Sequence, residues 1–191
     1  MENLNILIVG VGGQGTLLAS VLLGNLGMQA GYDVKLSEVH GMAQRGGSVV
    51  THVRFAKDTS IAPTIDTGSA DIIVAFEQLE GFRWASYLKK GGKMFINTQK
   101  ISPMPVIMGV VEYPSHIMEF FSAQKIDVSY INAEKIAEEL GNSRVVNTIL
   151  LGAAAKEMPF SMEDWLAEIE KTIRPQFVDV NKRAFLRGME A

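Results

Sequence analysis

Residues 4–16, LNILIVGVGGQGT, constrain the fold more than any other stretch of the chain. LNILIVG is apolar without alternation, as a strand covered on both faces requires. Glycines crowd the turn that follows. GQGTLLASVLLGNLGMQAG then places Leu18, Leu22 and Leu26 at helical spacing and ends near Gly31. Gly24 and Gly27 lower helix propensity, so a close approach of this helix to the sheet is the reason for them. A buried strand that feeds a helix through a glycine turn opens a doubly wound, Rossmann-like α/β sheet.

Gly10, Gly12 and Gly15 satisfy G-x-G-x-x-G in the required strand–turn–helix context. Gly10 permits the tight turn, Gly12 lets main-chain N–H groups approach a diphosphate, and Gly15 lets helix and strand close up. With Gly13 and Gln14 the turn offers an anion the unpaired N–H groups and positive dipole end of the helix. Turn geometry alone is the competing reading of the same glycines. The outer pair also fits a Walker A loop, but Thr16 stands where that motif needs lysine, which argues against a nucleoside triphosphatase. A stand-alone NAD(P)-dependent oxidoreductase is the main alternative. It needs an acid at the end of strand two for the ribose, and Glu38 lies 23 residues beyond Gly15.

The next connection fits that alternative poorly. SEVHGMAQRGGS, residues 37–48, holds Glu38, His40, Gly41, Gln44, Arg45, Gly46 and Gly47 where a simple turn would serve. It joins YDVKLSE to SVVTHVRFA through about nine residues, and a parallel crossover needs roughly a dozen or more. These two strands are therefore expected to run antiparallel. In the second, Val49, Thr51, Val53 and Phe55 share one face, with Val50, His52 and Arg54 on the other. Arg45 is suited to a phosphate or a carboxylate.

Further on, DIIVAFE (71–77) reads as a buried strand, 78–89 as a helix with Phe82, Ala85 and Leu88 inward, and GGKMFIN as a strand ending at Asn97. PMPVIMGVVEYP reads as another strand, bounded by prolines. SHIMEFFSAQ is a short helix, KIDVSYI a strand, and NAEKIAEELGN a helix capped by Asn132 and closed by Gly141. The last third is helical, with Ser161 as an N-cap and Pro175 opening the final helix. The methionines are read as core filler, His52 as a packed residue, and His116 as a surface or capping residue. Glu77 and Asn97 each end a strand presumed parallel to the first. Together with the glycine turn and the 38–47 loop, they bring polar groups from four connections to the ligand-binding edge of the sheet. Helix capping by Glu77, or its pairing with Arg83, and a turn role for Asn97 are the plainer readings.

Composition narrows the chemistry. A net charge of −3 argues against a broad basic face for nucleic acid. The chain has no cysteine, which removes disulfides, thiolate metal sites, cysteine nucleophiles and any iron–sulfur cluster held by this chain alone. His40, His52 and His116 are too scattered for a metal spacing. No apolar run reaches the ~18–20 residues of a membrane span and no secretory signal is visible, so the cytoplasm is the expected compartment. No nucleophile elbow or paired nucleophile and base stands out. Without repeat or linker, the 191 residues read as one α/β domain with a mixed, mostly parallel sheet and a helical C-terminal section.

The stretch from GVGGQGTLLASVLLGNLG through SEVHGMAQRGGSVVTHVRF resembles the gamma-type subunit of 2-oxoacid:ferredoxin oxidoreductases. The likeness is nearest to the small (beta) subunit of the indolepyruvate branch. It continues through SADIIVAFEQLEGFR, GGKMFINT, YINAEKIAEELGN, VVNTILLGAA and VNKRAFLRG, and so covers nearly the whole chain. The resemblance implies a three-layer α/β/α fold. It also implies a complex that oxidatively decarboxylates a 2-oxoacid to an acyl-CoA and reduces ferredoxin. Thiamine diphosphate and iron–sulfur clusters would sit in a larger partner subunit, with ferredoxin met through the complex. This chain would lie beside the active site and take part in accepting coenzyme A. On that reading Gly10, Gly12, Gly13, Gln14, Gly15, Glu38 and Asn97 belong to the cofactor site. His40, Gly41, Gln44, Arg45, Gly46 and Gly47 form a polar hook that completes the pocket or docks on the partner. An isolated chain is expected to pair with itself.

Overall fold

The computed structural model describes residues 3–41, 46–57 and 62–191. Among them, six strands form one sheet: β1 (Leu4–Val11), β2 (Asp33–His40), β3 (Ser48–Ala56), β4 (Ala70–Ala75), β5 (Leu88–Asn97) and β6 (Asp127–Ile131). Eight helices surround it: α1 (Thr16–Gln29), α2 (Gln78–Trp84), α3 (Met104–Ile107), α4 (Ile117–Ala123), α5 (Ala133–Glu139), α6 (Val146–Ala154), α7 (Met162–Thr172) and α8 (Pro175–Met189). Strand order is β2-β3-β1-β4-β5-β6. β3 runs antiparallel to both β1 and β2, and the other strands are parallel to β1. The short 41–47 connection thus gives the antiparallel pair expected of it. The C-terminal ends of β1, β2, β4 and β5 share one edge.

Alternation along the strands builds two apolar layers. Ile6, Ile8, Val53, Phe55, Ile72 and Val74 face α1 and α6, with Trp165 of α7 and Phe185 of α8 packed outside them. Leu7, Val9, Val50, Ile73, Met94 and Ile96 face the other way, under α2 and α4. This is the three-layer α/β/α arrangement. α1 lies so close to the sheet that a Cβ on Gly27 would sit 2.7 Å from the Phe55 ring, which explains a glycine inside a helix.

Three sequence expectations fail in whole or in part. Residues 104–114 form no strand: Pro103 and Pro105 cannot donate to a ladder, and the carbonyls of Pro103, Met104 and Pro105 instead accept the short-range bonds of α3 and the turn after it. Propensity from Val106, Ile107, Val110 and Val111 yields to proline. The methionines are also not uniformly core filler. Met94 and Met158 are buried, but Met28, Met104, Met108, Met118 and Met162 are exposed. The helix expected over 78–89 stops at Trp84, runs through a 3₁₀ turn at Ala85–Tyr87, and gives way to β5 at Leu88. Among the described residues no helix is long and apolar enough to cross a membrane.

Candidate functional site: the cleft at the glycine turn

Three residues of the turn are committed to holding the fold. Gly12 N–H donates to the Gly47 carbonyl at 2.9 Å, and Gly46 N–H donates to the Gly12 carbonyl at 3.5 Å. These bonds extend the β1–β3 ladder past the Val11–Ser48 pair. The N–H expected to reach a diphosphate is therefore spent on the neighbouring loop. Gln14 folds back beneath the turn: its Oε1 accepts from Val11 N–H at 2.7 Å, and its Nε2 donates to the Phe76 carbonyl and to Gln99 Oε1. Its amide pins the β1 turn to the β4 turn. Gly10 leaves room for that pin, because a Cβ there would meet Gln14 Oε1 at 2.8 Å and Phe76 Cβ at 2.9 Å.

Gly13 and Gly15 differ. Both have left-handed φ, 104° and 87°, a conformation that favours glycine. Among the described residues their N–H groups have no protein partner. Gly15 is also the N-cap of α1, where no side chain caps the helix and no acidic residue occupies the first turn. In most helices a Ser, Thr or Asp oxygen would take that position. Here the positive end of a 14-residue helix is left to something else.

Both glycines open on a cleft of about 660 Å³, bounded across the turn by α5 and the start of α6. Glu134, Glu138, Arg144 and Asn147 line it with Gly13 and Gly15. Asn147 Nδ2 reaches the Gly15 carbonyl at 3.4 Å and would clash with a Cβ on Gly15, so helix α6 seals the turn from one side. Arg144 is exposed and, among the described residues, has no carboxylate partner. Its main-chain N–H is held by the Asn142 side chain, which fixes the short 3₁₀ turn that presents it. Arg144 also borders a second hollow of about 310 Å³, floored by Leu18 and Phe177 and shared with Arg174.

The other expected site residues lie elsewhere. Asn97 is fully buried and lines no part of the cleft. Its Nδ2 donates to the Phe76 carbonyl and to Glu134 Oε1, and its Oδ1 accepts from Ala133 N–H, so it splices β4, β5 and α5 together. Glu77 caps α2 through Glu80 N–H and also accepts from Ile101 N–H and the Tyr113 hydroxyl. Burial and that carboxylate push the Tyr113 hydroxyl far above its ordinary value. Arg83 pairs with Glu80, not Glu77. Glu38 is exposed on the edge strand, where it accepts from Thr51, and β3 lies between it and β1. A ribose-binding acid must neighbour the first strand, so this order separates Glu38 from the glycine turn by two ladder spacings of roughly 4.8 Å each. His40 and Gly41 are exposed at the end of β2. Gly46 and Gly47 lie against the turn through the bonds above, and Gln44 and Arg45 fall outside the described residues.

Arg144, Asn147, Glu134 and Glu138 went unsuspected in the sequence. They stand some 120–130 residues after the turn, and only the α5–α6 crossover carries them to it. The sole local sign was the GNSR turn that follows α5.

Residues 5–191 match the family described as pyruvate ferredoxin/flavodoxin oxidoreductase. The chain is 42% identical, over its full length and 96% of the relative's, to indolepyruvate oxidoreductase subunit IorB of Thermococcus kodakarensis. In fold it is similar to the crystal structure of pyruvate oxidoreductase subunit PORC of Thermotoga maritima, with a TM-score of 0.74 at 24% identity over 100% of this chain and 97% of that one. It is also similar to 2-oxoglutarate:ferredoxin oxidoreductase of Magnetococcus marinus, solved with 2-oxoglutarate, coenzyme A and succinyl-CoA bound. That TM-score is 0.76 at 17% identity, over 100% of this chain but 31% of the longer one.

Proposed function

This chain belongs to the pyruvate ferredoxin/flavodoxin oxidoreductase family, and from that premise we propose that it is the small subunit of an arylpyruvate-type 2-oxoacid:ferredoxin oxidoreductase whose glycine-turn cleft receives coenzyme A. The complex would decarboxylate the 2-oxoacid oxidatively and pass the acyl group to coenzyme A. The larger partner subunit would hold the thiamine diphosphate and the iron–sulfur clusters that supply the carbanion chemistry and electron transfer. A chain without cysteine offers no thiolate for a cluster, which supports that division.

One observation carries the reading: the N–H groups of Gly13 and Gly15 and the Arg144 guanidinium, without partners among the described residues, border one cleft at an uncapped helix start. Aligned N–H groups suit a diphosphate, and a guanidinium adds a charge-assisted contact. Glu134 and Glu138 on the same wall oppose a ligand that is anionic throughout. They suit one that is anionic at one end and neutral along an extended arm, as coenzyme A is. The chain's own part is to bind and orient that ligand. Its bonded turn, Gln14 and Asn147 hold the site rigid before the ligand arrives.

In the assembled complex, Arg144→Ala is expected to weaken coenzyme A binding about tenfold or more, the worth of a charge-assisted hydrogen bond at roughly 1.5–3 kcal/mol. Titration calorimetry and the KM for coenzyme A would both report this, with the KM for the 2-oxoacid unchanged. Unaltered affinity would remove the cleft from the reaction. The isolated chain is expected to show no hydride transfer with NAD(H), and turnover there would restore the dehydrogenase alternative. Indolepyruvate, pyruvate and 2-oxoglutarate compared on the complex would test the arylpyruvate assignment.

A further inference from the structure

Beyond the cleft, the least explained surface is the segment that failed to become a strand. Met104, Ile107, Met108, Val110 and Val111 keep 54–70% of their side-chain area exposed, within a stretch from Ile101 to Val111 that carries no charge. Isolated exposed apolar residues are ordinary, but five large ones in eight residues make a contiguous patch. Proline-held α3 and the turn that follows it present them, and α3 buries no residue of its own. Between α3 and the loop joined to the glycine turn runs a groove of about 510 Å³, lined by Val11, Leu79, Ile101, Met104 and Ile107 on its apolar side and by Gly46–Ser48 at its far wall. Its floor is stiff. Buried Glu80 accepts from Ser48 Oγ and from Arg83 Nη1, which ties β3 to α2 beneath it.

We propose that α3, with this groove, is the surface on which the larger, thiamine diphosphate-binding subunit docks. The proposal rests on the complex described under Proposed function. Two observations select this occupant. The same fold forms 31% of the longer Magnetococcus marinus chain, so what is one continuous polypeptide there has its counterpart here in a separate, larger subunit. The area is also of the right order, since a standard interface takes roughly 800 Å² from each partner, and five half- to two-thirds-exposed Met, Ile and Val side chains supply a large share of it. Methionine suits a surface that must adapt to a partner. A lipid surface fits less well, because no lysine or arginine lies between Ile101 and Val111 and the groove's Arg83 is already paired with Glu80. The groove also ends at the loop bonded to Gly12, so a docked subunit would reach the edge of the sheet that holds the coenzyme A cleft.

The test uses the full chain and the purified larger subunit, with assembly followed by analytical ultracentrifugation. Ile107→Glu and Val110→Glu alter exposed side chains and are expected to leave the thermal midpoint unchanged while weakening assembly at least 100-fold. Met28→Glu, equally exposed on α1, is expected to assemble as the native chain does. A complex that forms normally with both variants overturns the proposal. So does loss of self-association, or of flotation with phosphatidylcholine–phosphatidylserine vesicles, when assembly stays intact. A native chain that never joins the larger subunit overturns the function proposed above and this surface with it, whereas a native complex indifferent to Ile107→Glu overturns this surface alone.

Discussion

The two faces of the sheet are finished to different degrees. Over the Ile6–Ile8 face, α1, α5 and α6 form a first layer, and α7 and α8 pack outside them, so that Trp165 and Phe185 are fully buried two layers from the strands. Over the Leu7–Val9 face lie α2 and α4, seven residues each, with a 3₁₀ turn and the irregular path through α3. Phe82, Phe120 and Phe121 pack edge to face there, yet Phe120 stays partly exposed and α3 buries no residue of its own. On the thick face the exposed apolar side chains, Leu17, Met28 and Met162 among them, are scattered over α1 and α7. On the thin face they cluster instead in one run, 104–111, the surface proposed above for the larger subunit.

Packing faults on the thick side are therefore expected to be severe. The largest effect is expected at the crossing of α6 and α8. A Cβ on Gly152 would lie 2.1 Å from the Phe185 carbonyl oxygen, and one on Gly188 would lie 2.0 Å from that of Ile149. Backbone cannot step aside as a side-chain tip can. Gly152→Ala should therefore cost at least about 3 kcal/mol, the upper end of overpacking, and lower the melting temperature by roughly 6–12 °C at this chain length. A variant that melts with the native chain would mean that α8 is loosely held and the thick face no better built than the thin one.

Next in size is Glu168, buried between α1 and α7. It accepts from Asn25 and Gln29 amides and from the Thr172 hydroxyl. Burial alone would raise its pKa, but the three donors outweigh it and hold the carboxyl below its ordinary value. Such a group stabilises the fold above its unfolded pKa and loses that contribution as pH falls through the folded one. Glu168→Gln turns an amide donor toward donors and should cost about 2 kcal/mol. It should also flatten the acid limb of the stability curve below pH 4.5, as melting at stepped pH would show. A variant with an unchanged acid limb would move the sensitivity to exposed carboxylates.

The same contrast explains what the sequence disclosed. Continuous apolar strands, the capping box of Ser161 and Asp164, Pro175 at the head of α8 and the glycine-closed α5 are local signals, and local physics decided them. The shortness of the connection was enough to set β3 against β2. The site was legible only in part. Gly13 and Gly15 announce themselves, but nothing near them in sequence says that Gly12 and Gln14 are already bonded, or that Arg144 will arrive across the cleft. Glu38 misled because spacing along the chain ignores the strand inserted between β2 and β1. Residues 104–114 misled because β-branched side chains look like a strand until proline removes the donors a ladder needs.

The smallest expected effect lies on the thin face, at His52. Its Nδ1 accepts from Ile65 N–H at 3.0 Å, which requires an unprotonated nitrogen there, and its ring meets Tyr87 edge-on. Burial, with a lesser contribution from Arg54, pushes its pKa below the ordinary 6.5. The native state thus binds the proton less well than the unfolded chain does. Stability is full above pH 6.5 and declines as pH falls below it toward the folded value. His52→Asn keeps an oxygen that can accept from Ile65 and removes the titration, so its melting temperature should fall less between pH 6.5 and 5 than that of the native chain. Ile65 and Tyr87 both contact His52 from the thin face, so a docked partner that stiffens that face should shrink the native slope toward the variant's. Equal slopes for the free native chain and the variant would show that this loop opens before the imidazole ionises, and that even the inner part of the thin face is held more weakly than its buried side chains imply.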